Sequence, residues 1–366
     1  MHAPQETPLK RRDFIRTGSS LVIASLVSPR IIASTKPKEK LGIALVGLGY
    51  YSTDLLAPAL QKTKHCYLAG IVTGSPEKAE RWKKQYNIPD KNIYNYQNFD
   101  QIANNPDIDI IYVVLPPTLH KEFTIRAANA GKHVFCEKPM ALNVIECEEM
   151  IKACKKNKRN LSIGYRCQHD PNTQAFMKIA RDKSLGNIKL ISCAAGYVES
   201  RAGNWKVKKS MGGGAMYDMG VYALQGARLA IGEEPISVSA QTITNRTEIF
   251  KDVDETTNFQ LHFPSGGIAS CTGSHGINTN FLKVHYEKGS LFMESFSSYS
   301  GNKGYSTLGE INYPVDHIQA LQMDNDALSI LNKQNPLVPG EEGMRDIRIV
   351  QAIQQASKNG STVRLN

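Results

Sequence analysis

At 366 residues, with 41% hydrophobic and 21% charged side chains, the chain is sized for two domains with ordinary hydrophobic cores. That composition excludes a disordered, collagenous or disulfide-scaffold protein, and beyond the N-terminus no apolar run is long enough to span a bilayer. The formal charge is +10; residues 1–34 hold five basic and two acidic side chains, and the remaining +7 is spread along the chain, which argues against a nucleic-acid groove.

The chain begins with a targeting pattern. Lys10-Arg11-Arg12-Asp13-Phe14-Ile15-Arg16 sets paired arginines before the apolar stretch Leu21 to Val27. This is the layout of a twin-arginine signal, which exports proteins already folded and predicts a periplasmic location. A basic N-terminal helix is the alternative. Residues 1–34 are therefore set aside from the fold. Seven cysteines, at 66, 136, 147, 154, 167, 193 and 271, form no CxxC pair. Free thiols suit a chain that folds before export, and no His/Cys cluster has metal-ligand spacing, so no metal is expected.

Residues 35–160 then alternate short apolar strands with helical patterns. Leu41 to Val46 reads as a strand ending in glycines, with a helix from Asp54 to Gln61. Tyr67 to Val72 is the next strand and Pro76 to Tyr86 the next helix. Ile108 to Leu115, "IDIIYVVL", is apolar on both faces, as a buried parallel strand must be. His120 to Ala130 is helical and stops at Gly131; His133 to Cys136 is a strand and Asn143 to Lys156 a helix. This alternation predicts a Rossmann-type, doubly wound parallel sheet. Residues 161–366 change character. From Ile188 to Phe296 apolar and polar residues alternate, as in "ISVSAQTI", "FQLHF" and "FLKVHY", with a turn at Pro264-Ser265-Gly266-Gly267. That predicts a second, α+β domain with a mainly antiparallel, open-faced sheet, accompanied by helices near 172–183, 218–231, 316–332 and 341–357.

Gly47-Leu48-Gly49-Tyr50-Tyr51-Ser52 is a GxGxxG loop with serine in the third glycine position. It follows a strand and opens a helix, where two glycines let backbone approach a pyrophosphate. A tight strand–helix turn without a ligand is the bland reading. An NAD-binding chain usually ends its second strand in Asp or Glu, which binds the ribose 2′-hydroxyl. Here that place offers Thr73, Gly74, Ser75 and the nearby Lys78, a set that accepts a 2′-phosphate, so NADP is expected over NAD.

The motifs "GLGYYS", "VTGSPEKA", "LPPTLH", "GKHVFCEKPMA", "IGYRCQHDP", "GGGAMYDMGVY", "GEEPI" and "PGEEGMRDIRIVQAI" together resemble the glucose–fructose oxidoreductase / inositol dehydrogenase / MocA family, nearest its periplasmic members. The resemblance covers nearly the whole chain after residue 41. It implies a Rossmann domain plus an open-faced antiparallel sheet, and an oxidoreductase acting on CH–OH groups of sugars. It also implies that Lys138, in Glu137-Lys138-Pro139, stands beside the nicotinamide. There an ammonium polarises the reacting carbinol. Tyr222 is then the general acid/base and Asp218 the anchor for a substrate hydroxyl. Amphipathic burial of Tyr222 is the structural alternative. Leu115, Pro116, His120, Glu137 and Arg166 are expected near the cofactor, with Tyr50 and Tyr51 in the glycine loop. Tyr165 is expected to line the substrate pocket, and Trp205 either stacks on a sugar face or belongs to the core.

An exported enzyme cannot exchange its nicotinamide with a cytoplasmic pool. The compartment therefore implies a hydride taken from one sugar, glucose-like at C1, and given to a second carbonyl sugar, fructose-like, on a cofactor that stays bound. The resemblance implies the same, and a homodimer or homotetramer. A simple NAD(P)-dependent sugar dehydrogenase, an NAD-dependent glycosidase and a non-catalytic sugar sensor are the alternatives. Partners are small-molecule sugars, with neither nucleic acid nor membrane expected.

Overall fold

The computed structural model describes residues 38–365 except Lys183, so the twin-arginine segment lies outside the described residues. In the first domain the elements are β1 (Leu41–Val46), a π-helical turn (Tyr51–Leu56) running into α1 (Ala57–Leu60), β2 (Cys66–Val72), α2 (Pro76–Tyr86), β3 (Ile93–Tyr94), β4 (Ile110–Val113), α3 (His120–Asn129), β5 (His133–Cys136), α4 (Val144–Lys156) and β6 (Leu161–Ile163). The six strands are all parallel, in the order β3-β2-β1-β4-β5-β6. Every residue of β1 and β4 is buried, because helices cover both faces of a parallel sheet. The strand order reverses between β1 and β4, so the crevice at their carboxyl ends is where such a sheet binds ligands.

The chain continues through α5 (Pro171–Arg181), β7 (Ile188–Gly196), a second π-helical turn (Met216–Gly220) leading into α6 (Val221–Ile231), β8 (Ser237–Ile243), β9 (Thr256–His262), β10 (Ile268–Ser274), β11 (Thr279–Tyr286), β12 (Gly289–Glu294), β13 (Lys303–Ser306), β14 (Gly309–Ile311), α7 (Ile318–Leu331), α8 (Gly340–Asn359) and β15 (Val363–Arg364). Nine strands form one sheet, β14-β13-β12-β11-β7-β10-β9-β8-β15, antiparallel except for β7 beside β10. Along β9 burial alternates: Thr257, Phe259 and Leu261 face the helices, while Asn258 and Gln260 are exposed on the other side. The fold class expected from the sequence is the one observed. Helix α7 returns to the first domain, where Asp324 accepts the backbone N–H of Lys64 at 2.9 Å and of His65 at 2.8 Å.

Two expected elements differ in detail. The run from Ile108 to Leu115 is strand over Ile110–Val113, with single backbone hydrogen bonds continuing at Asp109 and Val114. The helix expected from Asp54 is mostly π-helical before Ala57.

Candidate active site

Strand ends of the parallel sheet and one turn of the second domain meet at a common edge. After β1 the chain passes through Gly47 with φ +92°, and a Cβ there would lie 2.4 Å from the Val114 carbonyl oxygen; only glycine fits. Ser52, in the third position of the fingerprint, is buried and donates its hydroxyl to the Gly47 carbonyl at 2.6 Å, closing the loop from inside. Above Gly49 a Cβ would meet nothing within 4 Å, so the outer side of the loop is an open cradle. Tyr50 is exposed at its rim, and the Tyr51 ring tilts against Tyr299 with centroids 5.8 Å apart.

The end of β2 carries no carboxylate. The Ser75 N–H donates to the Thr73 hydroxyl at 3.2 Å, and the Ser75 hydroxyl caps α2 by accepting the Lys78 N–H at 3.3 Å. Lys78 then reaches back and donates its ammonium to the Leu48 carbonyl at 3.1 Å, which sets a cation at the glycine loop. These residues fit an NAD(P) dinucleotide: the Gly47–Gly49 loop would hold the pyrophosphate, and Lys78 with Thr73 would hold the adenosine ribose.

Beyond β4, Leu115 and Pro116 form the opposite wall. His120 is a correction to the expected ribose contact. Its ring is buried and its nitrogens face the carbonyls of Leu115 at 2.7 Å and Pro139 at 2.9 Å, so it staples two loops together. Burial pushes the imidazole down in pKa, while both carbonyls favour its proton. Glu137, at the end of β5, accepts the Tyr112 hydroxyl at 2.7 Å and the Lys138 N–H at 3.3 Å. Burial raises its pKa.

Lys138 is the convergence point. Its ammonium donates to the Asp218 backbone carbonyl at 2.6 Å and to Asp218 Oδ1 at 3.1 Å, and lies 4.4 Å from the centroid of the Tyr222 ring. Asp218 sits in the π-helical turn and Tyr222 at the start of α6, so both face Lys138 across the junction of the domains. The turn packs tightly on the second sheet: a Cβ at Gly273 would lie 2.5 Å from the Gly220 Cα. Asp218 Oδ2 takes donors from Lys206 Nζ at 2.8 Å, His275 Nε2 at 3.0 Å and the Tyr197 hydroxyl at 3.2 Å. Burial pushes this carboxyl up, but Lys206, Lys138 and His275 together hold it well below the usual carboxylate range. With four side-chain donors already on it, Asp218 has little acceptor capacity left for a sugar; its visible work is to hold two lysines.

Two further expectations are corrected. Arg166 is not at the cofactor rim: it is buried beneath the site, donating Nη1 to the Tyr222 hydroxyl and Nη2 to the Ser297 carbonyl, with its guanidinium 4.5 Å from the centroid of the Tyr299 ring. Tyr165 is fully buried in the core because the chain after β6 turns inward, so it does not line a pocket. Trp205, left open by the sequence, is half-buried with Lys206 Nζ 5.9 Å from its ring centroid, at the outer edge of the cluster. Lys206, Tyr197, His275 and Tyr299 were not singled out from the sequence. Lys206 follows Trp205 directly and His275 ends a strand as Lys138 does, but only the fold brings them to Asp218. A groove of 540 Å³ lies elsewhere, between the Gly212 loop and α8, and contains none of Lys138, Asp218 or Tyr222.

The comparisons agree with this geometry. Residues 41–165 match the model of an oxidoreductase family with an NAD-binding Rossmann fold, and residues 173–292 match the GFO/IDH/MocA C-terminal domain. The chain belongs to the Gfo/Idh/MocA family. An aldose–aldose oxidoreductase from Caulobacter crescentus, solved with glycerol, is 40% identical, with 89% of this chain and all of that one covered at a TM-score of 0.87. The NADP-dependent D-xylose 1-dehydrogenase of Haloarcula marismortui is 27% identical over 335 residues, covering 88% of this chain and 92% of that protein. A trans-1,2-dihydrobenzene-1,2-diol dehydrogenase of Xenopus laevis is 32% identical over 51% of this chain and 54% of its own. As a member of the Gfo/Idh/MocA family the chain is an oxidoreductase with an NAD(P)-binding Rossmann domain.

Proposed function

We propose that this chain is a sugar oxidoreductase that oxidises an aldose at C1 to the lactone and passes the hydride, through NADP retained in the site, to a second carbonyl sugar. The observation that carries the reading is the meeting of Lys138 and Tyr222 at the carboxyl edge of the parallel sheet, with the Lys138 ammonium 4.4 Å from the centroid of the phenol ring. The Lys78 ammonium at the glycine loop, and the lack of a carboxylate at the end of β2, support NADP over NAD. The names of the similar aldose–aldose oxidoreductase and NADP-dependent xylose dehydrogenase point the same way. The sequence motifs resemble periplasmic glucose–fructose oxidoreductase, while the aldose–aldose relative favours an aldose as acceptor.

Bound NADP would supply the hydride acceptor; the chain supplies position and charge. Lys138 donates to the reacting oxygen and stabilises its developing negative charge. Tyr222 takes the hydroxyl proton and returns it to the second substrate. Asp218 holds Lys138 and Lys206 in place, and the Trp205 ring offers an apolar face to a sugar. The paired arginines near the N-terminus support a periplasmic site of action, where retention of the cofactor makes two-sugar turnover necessary. The uncovered face of the nine-stranded sheet, with Leu190 and Ile243 exposed, supports burial against a second copy of the chain. Aldose carrying deuterium at C1, mixed with an unlabelled acceptor sugar and no added cofactor, tests the reading: deuterium in the reduced acceptor supports it, and label that stays in the donor rejects it.

A further inference from the structure

Arg166 has no carboxylate partner among the described residues. Its side chain is buried in the protein, where a guanidinium costs several kcal/mol unless an anion or several acceptors receive it. Among the described residues its acceptors are the Tyr222 hydroxyl and the Ser297 carbonyl, and its buried Nε–H meets no acceptor there. The rings of Tyr299 and Tyr222 flank it with centroids 4.5 and 5.1 Å from the guanidinium carbon. Of the ionisable groups around it, which include Tyr299 and Cys167, the one whose oxygen it hydrogen-bonds is the phenol of Tyr222.

We propose that Arg166 is a positioning residue for proton transfer. It fixes the Tyr222 oxygen as an acceptor on the buried side, turns the phenolic proton toward the open side of the site, and stands as the counter-charge when that proton is absent. The proposal rests on the sugar oxidoreductase reading for its purpose, but its physical content is a property of the free protein. In the oxidative half-reaction, with a nicotinamide bound to take the C–H hydride, the substrate O–H proton would go to the Tyr222 phenolate, so that the carbinol becomes a carbonyl. In the second half-reaction the phenol gives the proton back as the acceptor carbonyl takes the hydride. One tyrosine must therefore be stable in both states, and a buried phenol alone is stable in only one.

The surroundings of Tyr222 leave this role to few groups. From the β5 loop come Lys138, over its ring, and the buried Glu137, whose charge opposes a phenolate. From the turn after β6 come Arg166 and the Cys167 thiol, the latter also opposing it; Tyr51 and Tyr299 approach from the glycine loop and the segment after β12. Burial raises the Tyr222 pKa, and Arg166 is the strongest influence pulling it back. Lys138 is engaged by Asp218, which leaves the guanidinium as the cation that touches the phenolic oxygen itself.

The test places 3,5-difluorotyrosine at position 222, an intrinsically more acidic phenol, and follows its 19F shift against pH in the free protein with arginine, lysine, glutamine or methionine at 166. Arg166→Met is expected to raise the midpoint by about one pH unit or more, equivalent to a tenfold change in proton affinity, with Arg166→Lys in between. The pH profile of kcat in the unlabelled variants is expected to move in the same direction, with the sugar KM little changed. An unmoved midpoint in Arg166→Met overturns the proposal. If that variant does not fold, Arg166→Gln decides: it keeps a hydrogen-bond donor but no charge, so a midpoint equal to the parent's overturns the proposal. The titration needs neither sugar nor cofactor, so it stands or falls apart from the proposed reaction.

Discussion

Asp218 and Asp326 are both buried aspartates, and they lie at opposite ends of the acid range. Asp218 receives four side-chain donors, two of them ammonium groups, and is held well below the usual range against its burial. Asp326, on α7, receives the Ser162 hydroxyl at 2.6 Å, has His169 Nε2 4.0 Å away, and is pushed up by burial to about 7. Depth is similar; the partners differ. A buried carboxyl stays charged where the fold surrounds it with cations, and the fold does that at Asp218, between Lys138 and Lys206. Under α7 no cation approaches Asp326 among the described residues as the two lysines approach Asp218.

The comparison breaks first at the lysine. Lys138→Met is expected to lower kcat by about 10³-fold or more with the fold and dinucleotide affinity retained, measured by steady-state kinetics beside cofactor titration. Tyr222→Phe is expected to cost about 10²–10⁴-fold in kcat, with a smaller effect on the sugar KM. Asp218→Asn tests the hub: two lysines lose their anion, and denaturant unfolding is expected to show a loss of about 3 kcal/mol. A stability equal to the parent's would mean that Asp218 does not hold the cluster together.

Asp326→Asn is expected to do the opposite. Its folded pKa lies above the unfolded value, so the group adds stability that is complete below about pH 4 and disappears as pH rises through about 7. Asparagine removes that dependence, and the variant is expected to exceed the parent at pH 8 by on the order of 2 kcal/mol and to show no advantage near pH 5. Thermal unfolding at the two pH values checks the sign. The smallest expected effect is at Lys78: Lys78→Ala should raise the NADP dissociation constant about tenfold while leaving NAD binding nearly unchanged.

Much of this fold is legible along the chain, because the signals are local. His133 to Cys136 and Pro76 to Tyr86 occur with the expected bounds; the helix starts at Pro76 behind the Ser75 cap and stops at Asn87 in the left-handed region. The two π-helical turns are not legible, since a change of one residue per turn leaves the apolar pattern nearly intact. Strands β13 and β14, at one end of the second sheet, are too short and polar to show alternation. Lys138, Asp218 and Tyr222 stand out through their motifs. Lys206 and His275 do not, because what gives them meaning is a shared oxygen of Asp218, 12 and 57 residues away. Tyr165 and Arg166 show the converse: a motif places them near the site, and only the inward turn after β6 reveals that they lie beneath it.

Hydride exchange between two sugars on a retained cofactor is tested most directly by the near-ultraviolet spectrum of the purified protein, with glucose added and no cofactor supplied. Glucose is expected to bring up the absorption band of reduced nicotinamide, and a second carbonyl sugar to bleach it. A band that appears only when free NADP is supplied would contradict that exchange.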